Sequence, residues 1–237
     1  MQLNGKSAVI YGANNPTGAS VARAFALKGA TVHLAGRSTS RLQPVAREIL
    51  NSGGAVEVAE VDPLDMDSVG EHLHQVVVKH GTVDVSLNLA FMGIEGAARL
   101  CNLTGEQFDA ATFTRVRSNF VTSAAAVKVM AYQGRGIVLA TAAPETASAV
   151  GTIAGQAIGS AAIGALCEQL RIDVGTFGVR IAYLAEAPAS AEELIEKLFG
   201  VLSTLSAPSP APVPMVREPA ASIKSPTNEV STGVAAI

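Results

Sequence analysis

A single α/β domain with a doubly wound parallel sheet is predicted by three features of this 237-residue sequence. Short apolar runs alternate with amphipathic stretches along most of the chain, as strands alternate with helices in such folds. The segment "YGANNPTG" follows the first apolar run and has the composition of a strand-to-helix turn, where parallel sheets bind ligands. Hydrophobic residues make up 49% of the chain and charged residues 16%, which is enough apolar material for a sizeable core.

Six strands are predicted, because six short and mainly apolar runs have the composition of buried parallel strands. In chain order they are "SAVIYG", "ATVHLAGR", "AVEVAEVD", "VDVSLNLA", "GIVLAT" and "VRIAYLA". Connections between successive parallel strands are right-handed, so helices should cover both faces of the sheet.

Each strand is followed by a predicted helix. The first shows the basis of the prediction, since Val21 and Phe25 lie four residues apart and share one helical face. The helices are predicted over Gly18–Lys28, Ser40–Gly53, Met66–His80, Phe108–Tyr132, Gln156–Val174 and the amphipathic segment "ASAEELIEKLFGVLSTL". Residues 1–205 are therefore expected to form the domain. Residues 206–237 are rich in Pro, Ser and Ala without periodicity, and we expect a mostly disordered tail.

Charge and cysteine content exclude several function classes. A formal net charge of −3 argues against a general nucleic-acid-binding protein, which needs a basic face. Only Cys101 and Cys167 are present, so a disulfide scaffold is not indicated. The first residues lack the layout of a secretion signal, and a cytoplasmic protein is expected.

One weakly charged stretch raises the question of a membrane helix. Between Gly136 and Cys167 the only charged residue is Glu145, and glycines stand four apart at 151, 155 and 159. The stretch nevertheless consists mainly of Ala, Gly, Ser and Thr rather than Leu, Ile and Phe. A buried helix of a soluble protein is the favoured interpretation, and no membrane association is expected.

The turn after the first strand carries an altered phosphate-binding pattern. Gly12, Pro16 and Gly18 stand at the glycine positions of G-x-x-x-G-x-G, where a helix N-terminus attracts phosphate. With the pattern downstream, residues 5–205 resemble the short-chain dehydrogenase/reductase family, whose turn reads T-G-x-x-x-G-x-G. Tyr11 replaces the Thr and Pro16 the middle Gly. Proline has no N–H to donate, but it suits the first turn of a helix. We therefore expect the strand-to-helix turn to form and to bind phosphate more weakly.

This resemblance implies a Rossmann-like three-layer α/β/α fold and a nicotinamide cofactor. Arg37 stands where NADP-preferring members place a cation, and no acidic residue ends the second strand, so NADP is favoured over NAD. Asp62 matches the adenine-contacting Asp of the family. In "NLAF", which replaces the family's N-N-A-G, only Asn88 and Ala90 are kept. The cofactor-binding residues implied are Gly12, Asn14, Asn15, Thr17, Gly18, Arg37, Asp62, Asn88 and Ala90.

No metal site is predicted. The carboxylates of "DPLDMD" suit capping of the following helix better than a metal ion. His72 and His74 lie two apart on a predicted helix and therefore point to different sides.

The resemblance also implies a catalytic Asn, Ser, Tyr and Lys, and three of these positions are altered. Asn119 matches the Asn, whereas Ala142, Gln156 and Ser160 fall at the Ser, Tyr and Lys positions. A shift in alignment does not restore the pair, because no Tyr lies between positions 132 and 183 and no Lys between positions 128 and 197. Carbonyl reduction needs a proton from a tuned acid, which Gln does not supply. The loop that covers substrate in the family is also shortened after the sixth strand.

Three functional hypotheses remain open at this point. The first is an NADP(H)-binding protein with a non-redox, scaffold or partner role. The second is an atypical oxidoreductase in which a water or substrate group near Asn119 and Thr141 supplies the proton. The third is an interaction protein with an empty nucleotide cleft. The resemblance further implies a homodimer or homotetramer that pairs through the helices at Phe108–Tyr132 and Gln156–Val174.

Overall fold

The strands and helices alternate along the chain as the sequence analysis predicts. The computed structural model describes residues 2–90, 100–141, 153–174, 176–185 and 190–205, without the side chains of Ala111 and residues 153–156. The strands are β1 (Ser7–Tyr11), β2 (Thr31–Gly36), β3 (Ala55–Glu60), β4 (Val85–Asn88), β5 (Gly136–Thr141) and β6 (Val179–Leu184). The helices are α1 (Pro16–Leu27), α2 (Thr39–Asn51), α3 (Met66–His80), α4 (Gly105–Gln133), α5 (Ile153–Asp173) and α6 (Ala191–Leu205).

All six strands are parallel and lie in the order β3-β2-β1-β4-β5-β6. The chain first adds β2 and β3 on one side of β1 and then adds β4, β5 and β6 on the other side. The strand order therefore reverses between β1 and β4. In doubly wound sheets, a ligand-binding crevice lies at the carboxyl ends of the strands where the order reverses. The turn that begins at Gly12 lies at this crevice.

Two apolar layers hold the helices against the sheet. One face packs with α1, α2 and α6, around buried residues such as Phe25, Leu34 and Leu198. The other packs with α3, α4 and α5, around residues such as Leu73 and Met130. Because both faces are covered, the structure has the three-layer α/β/α architecture that the sequence predicts.

Helix boundaries differ from the prediction where caps decide them. The helix α4 begins at Gly105, three residues before the predicted start, because Thr104 and Gln107 form a reciprocal capping box. The helix α3 has the predicted bounds, and its N-cap is Asp65, whose carboxylate accepts the N–H groups of Asp67 and Ser68. A short 3-10 helix at Leu100–Asn102 was not predicted.

Two sequence-based predictions concern segments outside the described residues. These are the disordered tail at residues 206–237 and the position of Ala142. Among the helices of the described part of the chain, none combines the length and apolar character needed to cross a membrane.

Candidate functional site

The turn between β1 and α1 packs directly on the end of β4. Gly12 has a φ of +87°, and a Cβ added there would lie 2.4 Å from the backbone N of Ala90. A Cβ at Gly18 would lie 2.3 Å from the carbonyl oxygen of Gly12. Both separations are far below van der Waals contact, so glycine is needed at both ends of the turn.

Asn15 holds the turn in shape. Its side-chain oxygen caps α1 by accepting the N–H of Gly18 at 2.8 Å, and its amide donates to the carbonyls of Gly12 (2.6 Å) and Leu89 (3.1 Å). Pro16 occupies the first position of the helix, where its missing N–H costs no helical hydrogen bond. Since Asn15 already binds the N–H of Gly18, Thr17 carries the first N–H of this helix that a ligand could reach.

A cavity of about 590 Å³ opens beside this turn at the carboxyl ends of β1 and β2. Two arginines, Arg37 and Arg41, lie on its wall next to Ser38. Arg41 was not predicted as a site residue, although it stands four residues after Arg37, in the first turn of α2. The lining residues are Gly12, Asn14, Asn15, Ala35, Gly36, Arg37, Ser38, Arg41, Leu42, Pro63 and Ala90.

The structure places the nine predicted cofactor-binding residues at different distances from this cavity. Five of them line the cavity: Gly12, Asn14, Asn15, Arg37 and Ala90. Thr17 and Gly18 lie in the first turn of α1 and are not among the lining residues. Asp62 lies on a neighbouring open cavity, and its carboxylate accepts the N–H of Leu64 at 3.0 Å.

Asn88 supports the cavity from within the protein. It is buried, and its amide donates to the hydroxyls of Ser118 (2.8 Å) and Thr122 (2.9 Å) on α4. Its side-chain oxygen accepts the N–H of Ala90 at 2.8 Å. The side chain therefore positions the backbone after β4.

Asn119 and Ser160, two of the predicted catalytic positions, are connected through Arg115. The Asn119 amide donates to the backbone carbonyl of Arg115 at 3.0 Å, one turn earlier on α4. The Arg115 guanidinium donates to the Ser160 hydroxyl on α5 at 3.0 Å and to the backbone carbonyl of Thr141 at the end of β5. A cation from α4 thus reaches the position at which the sequence predicts that the family's Lys is lost.

Arg115 is only 4% exposed, and such deep burial is unusual for an arginine side chain. Burial lowers its pKa, but a guanidinium remains protonated at neutral pH. Among the described residues, no carboxylate lies within ion-pair distance of it. Its role was missed in the sequence because an isolated Arg on a helix is more often a solvated residue.

Tyr183 on β6 lies next to this group. Its hydroxyl donates to the backbone carbonyl of Ser160 at 2.7 Å. Burial raises the pKa of Tyr183, and the positive charge of Arg115 opposes that rise. The phenol is therefore protonated at neutral pH.

Two further features bear on the predicted catalytic positions. The oxygen of the Asn119 side chain is buried and has no hydrogen-bond partner among the described residues. Gln156 lies in the first turn of α5, but its side chain is outside the described part of the chain, as is the whole of Ala142.

Curated relatives match over different shares of their length. The chain is 35% identical over 108 residues to the short chain dehydrogenase MYCFIDRAFT_6125 of Pseudocercospora fijiensis, covering 46% of this chain and 33% of that protein. It is 26% identical over 186 residues to the uncharacterized oxidoreductase SSP0419 of Staphylococcus saprophyticus, covering 78% of this chain and 79% of that protein.

Solved structures share the fold over most of the chain. A short-chain type dehydrogenase/reductase from Mycobacterium marinum superposes with a TM-score of 0.68 at 28% identity, covering 77% of this chain and 74% of that one. A metagenomic short-chain oxidoreductase in complex with NADP superposes with a TM-score of 0.67 at 23% identity, covering 85% and 92%. The family model described as short chain dehydrogenase matches residues 6–194. The chain therefore belongs to the short-chain dehydrogenase family.

Proposed function

We propose that this protein binds NADP(H) and has lost the ordinary carbonyl reduction of its family, serving instead a non-redox, scaffold or partner role that depends on the nucleotide. The observation that carries the nucleotide part is the cavity beside the Gly12 turn, with Arg37 and Arg41 on its wall. Guanidinium groups bind phosphate oxygens in pairs, which suits the 2′-phosphate that distinguishes NADP from NAD. The NADP complex of the metagenomic relative agrees with this proposal.

The residues of this chain fit the adenosine end of such a cofactor. The cavity lies at the carboxyl ends of β1 and β2 and reaches Ala90 after β4, beside the strand-order reversal where doubly wound sheets bind nucleotides. The free N–H of Thr17 at the start of α1 would face the diphosphate, and the two arginines would face the ribose. When bound, the cofactor supplies hydride chemistry, but the proton that such chemistry needs must come from the protein or from water.

The protein is expected to bind NADPH at least about tenfold more tightly than NADH, because a charged hydrogen bond to phosphate contributes roughly 1.5–3 kcal/mol. Changing Arg37 and Arg41 together to Ala should remove most of this preference and leave NADH affinity nearly unchanged. Calorimetric titration of both cofactors measures the ratio. Arg47→Ala is the matched control, since Arg47 is exposed on the same helix and lies outside the cavity lining. Equal affinities for the two cofactors in the unaltered protein would contradict the preference.

The loss of ordinary catalysis is proposed from the catalytic positions. Ser160 stands at the Lys position, and its hydroxyl is engaged by Arg115. A serine there provides neither the positive charge nor the reach of a lysine. The sequence between Tyr132 and Tyr183 contains no other tyrosine that could serve as the acid.

A second candidate, an atypical oxidoreductase, is favoured by one specific observation. The Arg115 guanidinium lies between the end of β5 and α5 and so supplies a positive charge close to the lost Lys position. In that case Asn119 and a water or substrate group would deliver the proton. The two candidates differ in the rate of NADPH-dependent turnover that they predict and in its dependence on Asn119.

We also infer a homodimer or homotetramer formed through α4 and α5. Phe113 and Phe120 on α4 and Ile158 and Ile172 on α5 are exposed large apolar side chains. Between them, α5 exposes small residues such as Ala165, which allow two helices to approach closely. A face of this composition favours helix-to-helix association of two copies.

The change Ala165→Glu is expected to convert the assembly to a monomer, because it would bury a carboxylate at the centre of the contact. Ala165 is exposed in the single chain, so the fold should be kept. Light scattering after gel filtration at micromolar concentration gives the mass. Leu50→Glu on α2 is the control, because Leu50 is also exposed but lies on a helix that packs on the opposite face of the sheet from α4 and α5. A monomeric mass for the unaltered protein would refute the assembly.

A further inference from the structure

Three side chains converge on the sheet face that carries α3. His33 on β2 pairs in register with Glu57 on β3, so both point to the same face. His80 is the last residue of α3, which packs over that face. One ligand atom from each of these residues lies within 4.8 Å of the other two.

The individual distances are close to those within a metal coordination shell. The His80 Nε2 atom lies 3.1 Å from Glu57 Oε1, and His33 Nδ1 lies 3.9 Å from Glu57 Oε2. The two imidazole rings meet edge to face, with centroids 4.7 Å apart. Ligand atoms about 2.0–2.2 Å from a tetrahedral zinc ion are separated from one another by roughly 3.3–3.6 Å. Because the three ligand atoms lie within 4.8 Å of one another, side-chain movements of about 1 Å would bring them into a coordination shell.

His33 gives an independent reason to expect a ligand here. Its side chain is 1% exposed, and neither ring nitrogen has a hydrogen-bond partner among the described residues. A buried polar group without a partner costs free energy and needs an explanation, of which a bound ion is one. Imidazole binds a metal ion through a nitrogen lone pair, and both ring nitrogens of His33 are without a hydrogen-bond partner among the described residues.

We propose that His33, Glu57 and His80 form a binding site for a divalent late transition metal, with Zn²⁺ as the best match. Two imidazoles and one carboxylate suit zinc, whereas Mg²⁺ and Ca²⁺ prefer oxygen ligands. Glu57 and His80 are partly exposed, so the ion can enter from solvent and keep water in the fourth position. The site would join the end of α3 to the strands β2 and β3, apart from the nucleotide cavity at the strands' carboxyl ends.

Lys79 currently neutralises the carboxylate. Its ammonium lies 2.5 Å from Glu57 Oε1, and its side chain is 64% exposed. An exposed ion pair is weak, so a divalent ion coordinated by three groups can displace it. Lys79 and a metal ion would then compete for the Glu57 carboxylate. A metal site therefore predicts tighter metal binding when Lys79 is removed, which a purely structural ion-pair cluster does not.

Titration of Zn²⁺ into the untagged, chelator-treated protein tests the proposal. One saturable equivalent is expected by calorimetry, together with a rise in melting temperature. Substituting Co²⁺ should produce the intense visible absorption of a tetrahedral site. A Co²⁺ spectrum that remains that of the hydrated ion, or the absence of saturable Zn²⁺ binding, would overturn the proposal.

Variants locate the site. Glu57→Gln and His80→Ala, both at partly exposed positions, should weaken Zn²⁺ binding by at least roughly tenfold, because each removes a ligand. Lys79→Ala should strengthen it by removing the competing ammonium. The matched control is His74→Ala, since His74 is exposed on α3 outside the cluster. Equal affinities for Glu57→Gln, His80→Ala and the unaltered protein would assign the ion to another place and refute this site.

Discussion

Replacing Gly12 by alanine is expected to abolish nucleotide binding and to lower the free energy of unfolding by about 3 kcal/mol or more. Two costs combine in this change. The residue has a φ of +87°, which strains any side chain, and the new Cβ would lie 2.4 Å from the backbone of Leu89 and Ala90. The turn must therefore move away from β4, and that movement misplaces the start of α1 and the wall of the cavity.

Gly81→Ala is a closely matched control for this experiment. Gly81 has a φ of +84° at the end of α3, but a Cβ added there would meet nothing within 4 Å. This control should cost only about 1–2 kcal/mol, from backbone strain alone, and should leave NADPH binding intact. Urea denaturation and the thermal shift with NADPH measure the two effects. If both variants lose the same free energy of unfolding and both still bind NADPH, the packing of the turn on β4 determines neither the stability nor the nucleotide binding.

The second large expected effect is a low rate of NADPH-dependent reduction. With NADPH and a panel of aldehydes, ketones and quinones, reduction is expected to be at least about 10²-fold slower than for relatives with an intact catalytic set, because a general acid contributes roughly 10²–10⁴ in rate. The proposal holds that the acid and the Lys are chemically absent, so a better substrate is not expected to restore the rate. The decrease in NADPH absorbance gives the rate.

Two variants test whether any residual turnover depends on the residues near the predicted catalytic positions. Asn119→Ala removes the catalytic position that the sequence predicts to be retained, and Arg115→Leu removes the buried cation that donates to Ser160. Turnover that is slow and insensitive to both changes supports the non-redox proposal. Robust turnover that falls in both variants would contradict that proposal and favour the atypical oxidoreductase. Circular dichroism of each variant confirms that the fold is kept.

The order and type of the main elements could be predicted because their signals are local. A buried strand such as β1 and an amphipathic helix such as α3 each show their periodicity within a few residues of sequence. The glycines of the first turn were predictable for the same reason, since a strand-to-helix turn has a short pattern. Helix starts were less accurate, because the cap of α4 depends on the side chain of Thr104 rather than on periodicity.

The candidate site was predictable only in part. Arg37 follows directly from its position after β2, whereas the contribution of Arg41 depends on how the first turn of α2 folds back over the cavity. Arg115 and Ser160 are 45 residues apart in sequence, and their contact exists because α4 and α5 pack side by side. No local pattern marks such a pair.

The sequence by itself therefore determined the alternation of strands and helices and the glycine turn, and it predicted altered residues at the family's catalytic positions. The tertiary structure alone decided that a buried guanidinium reaches Ser160 and that His33, Glu57 and His80 meet on one face of the sheet. The physical reason is that periodicity and turn chemistry act between neighbours in the chain. Strand order and helix packing, in contrast, bring together side chains that are 20 or more residues apart, such as Glu57 and His80 at a separation of 23.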